Sequence, residues 1–393
     1  MQFYRFSCLL IYLSFTMTLV QAQVHFKDQA IFENGTAAYA CYRIPAIIKA
    51  PNGNLLAFAE GRTDNCHDFG NVDIVLKISS DNGTSWSKHR IVVDNDSLQA
   101  GNPAPVVDYS DPDFPRGRIF LLYNTGTASE YKVRNGNGIR EVHYITSTDN
   151  GATWSSPVNI THQVHRPNQP TYHPDYQYPE DWRSYALTPG HGIQLSGGRI
   201  FVPANHSAGP PQDGFNEYRS HAIYSDDHGK SWQLSKNVDI PSANEATAAE
   251  LADGKVMMNI RQQNGEKRQR LIAISEDEGE SWSKIYFDSS LVGPVCQASL
   301  LAYQTPDGKS ALLFSNPAHP NKRVNLTLRL SLDDGITWPI ARSVYKGDSA
   351  YSDLVIEKSG QIGVLYERGN NGGIHYADLN LDWLKKKGQK VRK

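Results

Sequence analysis

Charge of one sign is what this chain most plainly lacks. Across 393 residues, 39 Lys and Arg stand against 41 Asp and Glu. That balance gives a polyanion nothing to hold, so nucleic acid is not an expected partner. Long apolar runs are missing after the N-terminus, so no later segment is expected to span a bilayer. Methionine is rare, at four, while aromatics make up 10%, a balance common in β-rich proteins. Cysteine is scarce too, also at four, and the first lies in a stretch that reads as a leader. Residues 1–22 combine the basic Arg5, a largely apolar Cys8–Leu19 and a Val20-Gln21-Ala22 cleavage pattern, as secretory signal peptides do. The mature chain is therefore expected to be secreted or periplasmic. Its cysteines are then Cys41, Cys66 and Cys296, an odd number. Cys41 and Cys66 flank the two strands of the first predicted hairpin, so a bridge between them is geometrically possible. Lys385–Lys393 forms a basic tail, read as a solvated end, which leaves 23–384 as one domain.

What the chain has in abundance is repetition. The pattern Ser-x-Asp-x-Gly-x-(Thr/Ser)-Trp occurs at Ser79–Trp86, Ser147–Trp154, Ser225–Trp232, Ser275–Trp282 and Ser331–Trp338. The aspartate can accept hydrogen bonds from its own turn, and the glycine permits a positive φ. The hydroxyls can tie the turn ends, and the tryptophan can wedge the turn against its sheet. Each copy reads as a self-contained hairpin turn with a small core of its own.

A second repeat lies between these turns. Hairpin turns followed by apolar strands begin at Gly53, Gly117, Gly198, Gly254, Gly308 and Gly360. In the first five, the turn aspartate follows 23 to 32 residues later. Six units of about four short strands predict an all-β, six-bladed β-propeller. The outer strand missing from the last unit could come from Val24–Phe32, closing the ring. An ordinary β-sandwich has no reason to repeat such a unit six times.

Polar residues recur at fixed offsets from the hairpin glycines, at positions that an antiparallel pair brings to one edge. Arg43 and Arg62 flank Gly53, Glu245 and Arg261 flank Gly254, and Tyr351 and Glu367 flank Gly360. Asn124, Asn205 and Asn316 follow the other glycines, with Arg323 in a loop beyond. In a propeller these ends meet at one mouth of the axis, opposite the aspartate turns. Three arginines converging there make a pocket for a carboxylate. Glu367 and Glu245 are available to shield them from one another.

At these residues the chain resembles the exo-α-sialidases (neuraminidases) of the bacterial and animal type, over nearly all of its mature length. The aspartate turns are similar to the family's Asp boxes. Tyr42-Arg43-Ile44-Pro45 is a more specific likeness, as is the ordered set of the acidic loop after Arg62, then Glu245, Arg261, Arg323, Tyr351 and Glu367. The resemblance implies that Arg43, Arg261 and Arg323 bind the carboxylate of sialic acid. It implies that Tyr351 is the nucleophile, Glu245 its base, and Glu367 the partner orienting Arg43. It also implies an aspartate acid/base on the loop Gly61–Asp73. Asp68 fits best, with Asp64 the alternative and His67 a weaker one. Arg62 and Asn102, at strand ends, are further candidate substrate contacts.

These residue types suit the chemistry. A carboxylate nucleophile would be repelled by the carboxylate on the anomeric carbon of sialic acid, whereas a neutral phenol is not. A phenol, with a pKa near 10, needs a base. The expected activity is hydrolysis of terminal α-linked sialic acid from glycans with retention of configuration, needing neither metal nor cofactor. The rivals are a hydrolase of deaminated neuraminic acid and a propeller that only binds glycans. The aromatic segment His165–Tyr185 is expected either to rise above the mouth or to form an ordered surface loop.

Overall fold

A computed structural model describes residues 23–369 and 372–386. The leader expected over 1–22 and most of the basic tail lie outside the described residues. The chain is all-β and arranged as a β-propeller. Antiparallel meanders follow one another in chain order. One runs Ala243–Glu250, Val256–Gln262, Gln269–Ser275 and Lys284–Val292; the next runs Ser299–Gln304, Ser310–Pro317, Val324–Ser331 and Ile340–Asp348. A third is built on Trp182–Leu187, Ile200–Ala208 and Tyr218–Ser225. Cys41–Lys49, Leu55–Arg62 and Val72–Ser79 continue into Gln99–Asp108, Arg118–Gly126 and Arg140–Ser147 as one eight-stranded sheet. The two halves of that sheet join in parallel at a single pair, Val72 with Gln99.

The last sheet takes its outer strand from the other end of the chain. Phe26–Phe32 pairs antiparallel with Ile374–Leu379, beside Ile362–Glu367 and Ser352–Ile356.

Strand interiors are apolar on both faces because each sheet is covered by its neighbours on either side. Every residue of Leu55–Arg62 is buried. Phe58 and Leu76 pack towards Leu121 and Tyr123, while Ala57 and Val75 pack towards Leu365 and Tyr376 of the last sheet. A buried side chain of this size stabilises the fold by roughly 1.5–3 kcal/mol.

All five repeated turns make the same hydrogen bonds. In the first, the Ser79 hydroxyl donates to Asp81 Oδ1 at 2.8 Å and accepts from the Gly83 N–H at 2.8 Å. Asp81 also accepts from the Ser85 N–H and hydroxyl. The turns are less self-contained than the sequence suggests. A Cβ at Gly83 would sit 2.2 Å from the Tyr376 ring of the last sheet, and one at Gly229 would sit 2.5 Å from Phe120. Trp86 rests edge-on against that same Tyr376. Each of these glycines therefore serves two needs, a positive φ and close approach to the preceding sheet.

The inner strands meet at a polar hub. Asp353 accepts from the Ile47 N–H at 2.8 Å, the His191 N–H at 3.1 Å and the Ser299 hydroxyl at 2.8 Å. It also pairs with His191 Nδ1 at 2.7 Å. Burial pushes the His191 imidazole down, but the Asp353 carboxylate outweighs it and raises it overall.

Candidate active site

Four of the inner strands are bulged where they reach the mouth. Their registers shift between Arg43 and Ala46, between Gly101 and Ala104, between Trp182 and Tyr185, and between Ala243 and Ala246. Proline causes part of this, since Pro45 and Pro103 cannot donate to a ladder. Ile44 and Asn102 are held at φ 57° and 54°, a costly conformation for a β-branched residue. The gain is aim, because a bulge redirects the side chains beside it. Arg43, Asn102 and Glu245 all lie in these bulges.

They face a cleft of about 240 Å³. Arg43, Arg62, Asp68, Asn102, Glu245, Arg261, Arg323 and Tyr351 all line it. Arg43 Nε donates to Glu367 Oε1 at 2.7 Å, and the same oxygen accepts the Ile44 N–H at 2.9 Å. Glu367 Oε2 takes the Tyr351 N–H at 3.2 Å. One buried carboxylate thus fixes an arginine, a strained backbone and the start of the segment carrying Tyr351. Glu367 raises the Arg43 guanidinium despite burial, so Arg43 stays cationic.

The Tyr351 hydroxyl donates to Glu245 Oε1 at 2.5 Å and accepts from Arg261 at 3.0 Å. Arg261 also holds the other oxygen of Glu245 at 2.5 Å. Burial first, and Glu245 second, push the phenol well above its ordinary range, while Arg261 and Arg323 pull the other way. Tyr351 is therefore neutral at rest with an acceptor in contact with its proton. Arg323 lies 5.6 Å from the ring centre, with Arg43 at 5.5 Å. Among the described residues, the Arg323 guanidinium donates only to the Val295 carbonyl. Beneath Tyr351 sits the buried Cys296, whose thiol is pushed up by burial.

The acidic loop is fastened to the inner strand by a disulfide between Cys41 and Cys66. Arg62 spans the loop: it binds Glu60 at 2.6 Å, the Cys66 carbonyl at 2.6 Å and Asp68 Oδ1 at 2.9 Å. Asp68 is 84% exposed, since it faces the water of the cleft even though protein surrounds that recess. What burial there is pushes its carboxyl up; Arg62 and Arg43 outweigh that and hold it below the usual carboxylate range. Because the group is so open, water screens the pair and it adds little to stability. Asp64 is exposed and, like His67, is not among the cleft-lining residues.

Asn102 is more tied down than a free substrate contact. Its N–H goes to Glu60 and its side chain to the Leu187 carbonyl. Of the aromatic segment, Tyr185 lines the cleft, Trp182 opens an inner strand and is buried in the apolar core, Tyr176 is buried, and Tyr172 is exposed. Counting offsets from hairpin glycines missed Glu60, Gln99, Glu130 and Arg140, which also line the cleft. Glu60 carried a signal, since it is two residues from Arg62 on the same strand face.

The BNR repeat-like domain family matches residues 53–364. The chain is 32% identical to a sialidase of Micromonospora viridifaciens, over 91% of this chain and 54% of that protein. It is 30% identical to a sialidase of Bacteroides fragilis, over 84% of this chain and 60% of that protein. It thus spans little more than half the length of these two relatives. Among solved structures, the Hadza microbial sialidase Hz136 superposes with a TM-score of 0.79 at 27% identity, covering 91% of this chain and 69% of that one. With the family match running through five of the turn repeats and most of the cleft, the chain belongs to the BNR repeat-like domain family.

Proposed function

We propose that this chain is a retaining exo-α-sialidase whose substrates are glycans ending in α-linked sialic acid. The observation that carries the reading is the Tyr351–Glu245 contact beside Arg43, Arg261 and Arg323. A propeller that only binds glycans has no use for a buried phenol donating to a carboxylate at the cleft wall. We count six blades, taking the eight-stranded sheet as two joined at Val72–Gln99, and five Asp-box turns. Apolar clusters on both sides of each blade favour that count. Residues 23–384 form the catalytic domain in this reading, 1–22 a signal peptide and 385–393 a tail. The Cys41–Cys66 disulfide suits an oxidising compartment, in keeping with a secreted or periplasmic enzyme.

The chemistry runs in two displacements. The three arginines hold the sugar carboxylate and set the anomeric carbon over Tyr351. Glu245 takes the phenol proton as the Tyr351 oxygen bonds to that carbon, while Asp68 gives a proton to the departing glycosidic oxygen. Asp68 then takes a proton from water, which attacks the same carbon. The tyrosyl bond breaks and Glu245 returns its proton. The substrate carboxylate offsets Arg43 and Arg323, weakening the field that keeps Asp68 ionised, so binding itself favours the protonated acid.

Two inversions give net retention, so the sialic acid first released is the α-anomer. Proton NMR during the first minutes of hydrolysis checks this. Tyr351→Phe should bind a 2,3-unsaturated sialic acid analogue about as well as wild type while losing most turnover. Initial release of the β-anomer would mean direct attack by water and remove Tyr351 as nucleophile.

A further inference from the structure

One cationic side chain in the cleft has no part in the chemistry above. Arg140 is 7% exposed and lines the cleft. Its guanidinium donates to Gln99 Oε1. Among the described residues it makes no ion pair within 4.0 Å, unlike Arg43, Arg62 and Arg261. A buried arginine with one neutral acceptor is costly, so its placement needs a reason.

The local geometry shows how it is placed. Gln99, Gly126 and Arg140 lie side by side on three adjacent strands, Gly126 paired with both. A Cβ at Gly126 would lie 2.0 Å from Arg140 Nη1 and 3.2 Å from Gln99 Oε1. The missing side chain is the gap through which Arg140 and Gln99 meet. Gly126 is not among the glycines with positive φ, so its use here is space rather than backbone conformation.

Position around the ring then says what Arg140 faces. On the six-blade count, Arg323 comes from blade 5 and Arg140 from blade 2, directly across the axis. In a six-membered sugar held at its anomeric carbon C2 by the arginine and Tyr351 side, the carbon across the ring is C5. In N-acetylneuraminic acid C5 carries an acylamino group ending in a methyl; in the deaminated acid it carries a hydroxyl. Among the described residues, the blade 2 wall supplies Gln99, Asn102, Asn124, Glu130 and Arg140 and no apolar side chain. A methyl gains nothing against such a wall. A hydroxyl can accept from Arg140 and donate to Gln99 or Glu130. The Glu130 carboxylate disfavours an anion in the same place.

We infer that Arg140, admitted by Gly126 and braced by Gln99, is a specificity-determining residue that selects a C5 hydroxyl, making deaminated neuraminic acid glycosides the preferred substrates. This rests on the sialidase reading and names its substrate within that class.

The test compares umbelliferyl glycosides of N-acetylneuraminic acid and of the deaminated acid on the full chain. The measured quantity is the ratio of the two kcat/KM values, which a partly misfolded preparation leaves unchanged. Wild type should favour the deaminated glycoside about tenfold or more. Arg140→Leu should lower the ratio roughly 10- to 100-fold, the worth of one hydrogen bond to a charged donor. Gly126→Ala should lower it as well, by displacing the flexible end of Arg140 with the strand intact. A wild-type ratio below one, or a ratio unmoved in both variants, overturns the inference. Release from neither glycoside overturns the glycosidase reading and the inference with it, and that failure is told apart by the lack of any fluorescence.

Discussion

In the mechanism proposed above Asp68 is the proton donor in one half of the reaction, yet Arg62 and Arg43 hold it ionised at rest. Its sign fixes a pH dependence. The acid form is needed for cleavage and its pKa lies below the usual range, so kcat/KM on unactivated glycosides should fall as pH rises from acidic towards neutral. Aryl glycosides with good leaving groups need little protonation and should show a shallower fall. By the same logic, Asp68→Ala should cost about 10²–10⁴-fold on unactivated glycosides and far less on aryl ones, while Asp64→Ala leaves both rates in place. Selectivity of that kind in Asp64→Ala and not in Asp68→Ala would transfer the role. At this scale the sequence was informative wherever a residue sat at a fixed offset from a hairpin glycine, as Arg43, Glu245, Tyr351 and Glu367 do. Arg140 opens the third strand of its blade, outside that offset. Its only mark was Gly126, and a glycine at a strand end has many other readings.

The strands and turns were legible because their signals are local: apolar runs, hairpin glycines, and an aspartate bonding to its own turn. What the turns touch was not. Gly83 meets Tyr376, nearly three hundred residues away, and no pattern within one repeat announces it. The acidic loop is the element with most to lose. Its Cys66 is tied to Cys41 across a separation of 25 residues, which stabilises the fold by roughly 3 kcal/mol if chain entropy dominates. Cys66→Ser should lower the melting temperature and reduce kcat on natural glycosides, because Asp68 is two residues from the tether. Binding of the unsaturated analogue, which depends on the arginines, should change much less. Equal losses in kcat and in analogue affinity would show that the bridge supports the whole cleft rather than the loop.

For the whole molecule, the hub at Asp353 ties together inner strands that belong to different sheets. Asp353→Ala leaves His191, Ile47 N–H and Ser299 without their acceptor, so denaturant unfolding should show a loss of about 3–5 kcal/mol. His191 is raised in the folded state, so its part of that stabilisation is complete below its unfolded pKa and is lost as pH rises through the folded one. The gap between wild type and variant should therefore narrow towards alkaline pH. A loss under about 1 kcal/mol would mean the blades are held by their apolar faces alone.

The pairing of Phe26–Phe32 with Ile374–Leu379 has a consequence in time. The first strand leaves the ribosome with no partner in existence, and about 340 residues must follow before one appears. At about 5–20 residues per second, that wait is tens of seconds. Through it the nascent chain carries an unpaired edge, open to pairing with a neighbour. The strand that ends the wait is Ile374–Leu379, so a chain halted before Ile374 stays unclosed however well its earlier blades have formed. Closure of the ring thus reports that translation has passed Leu379, and a protease or chaperone can read the open edge as the mark of an unclosed ring.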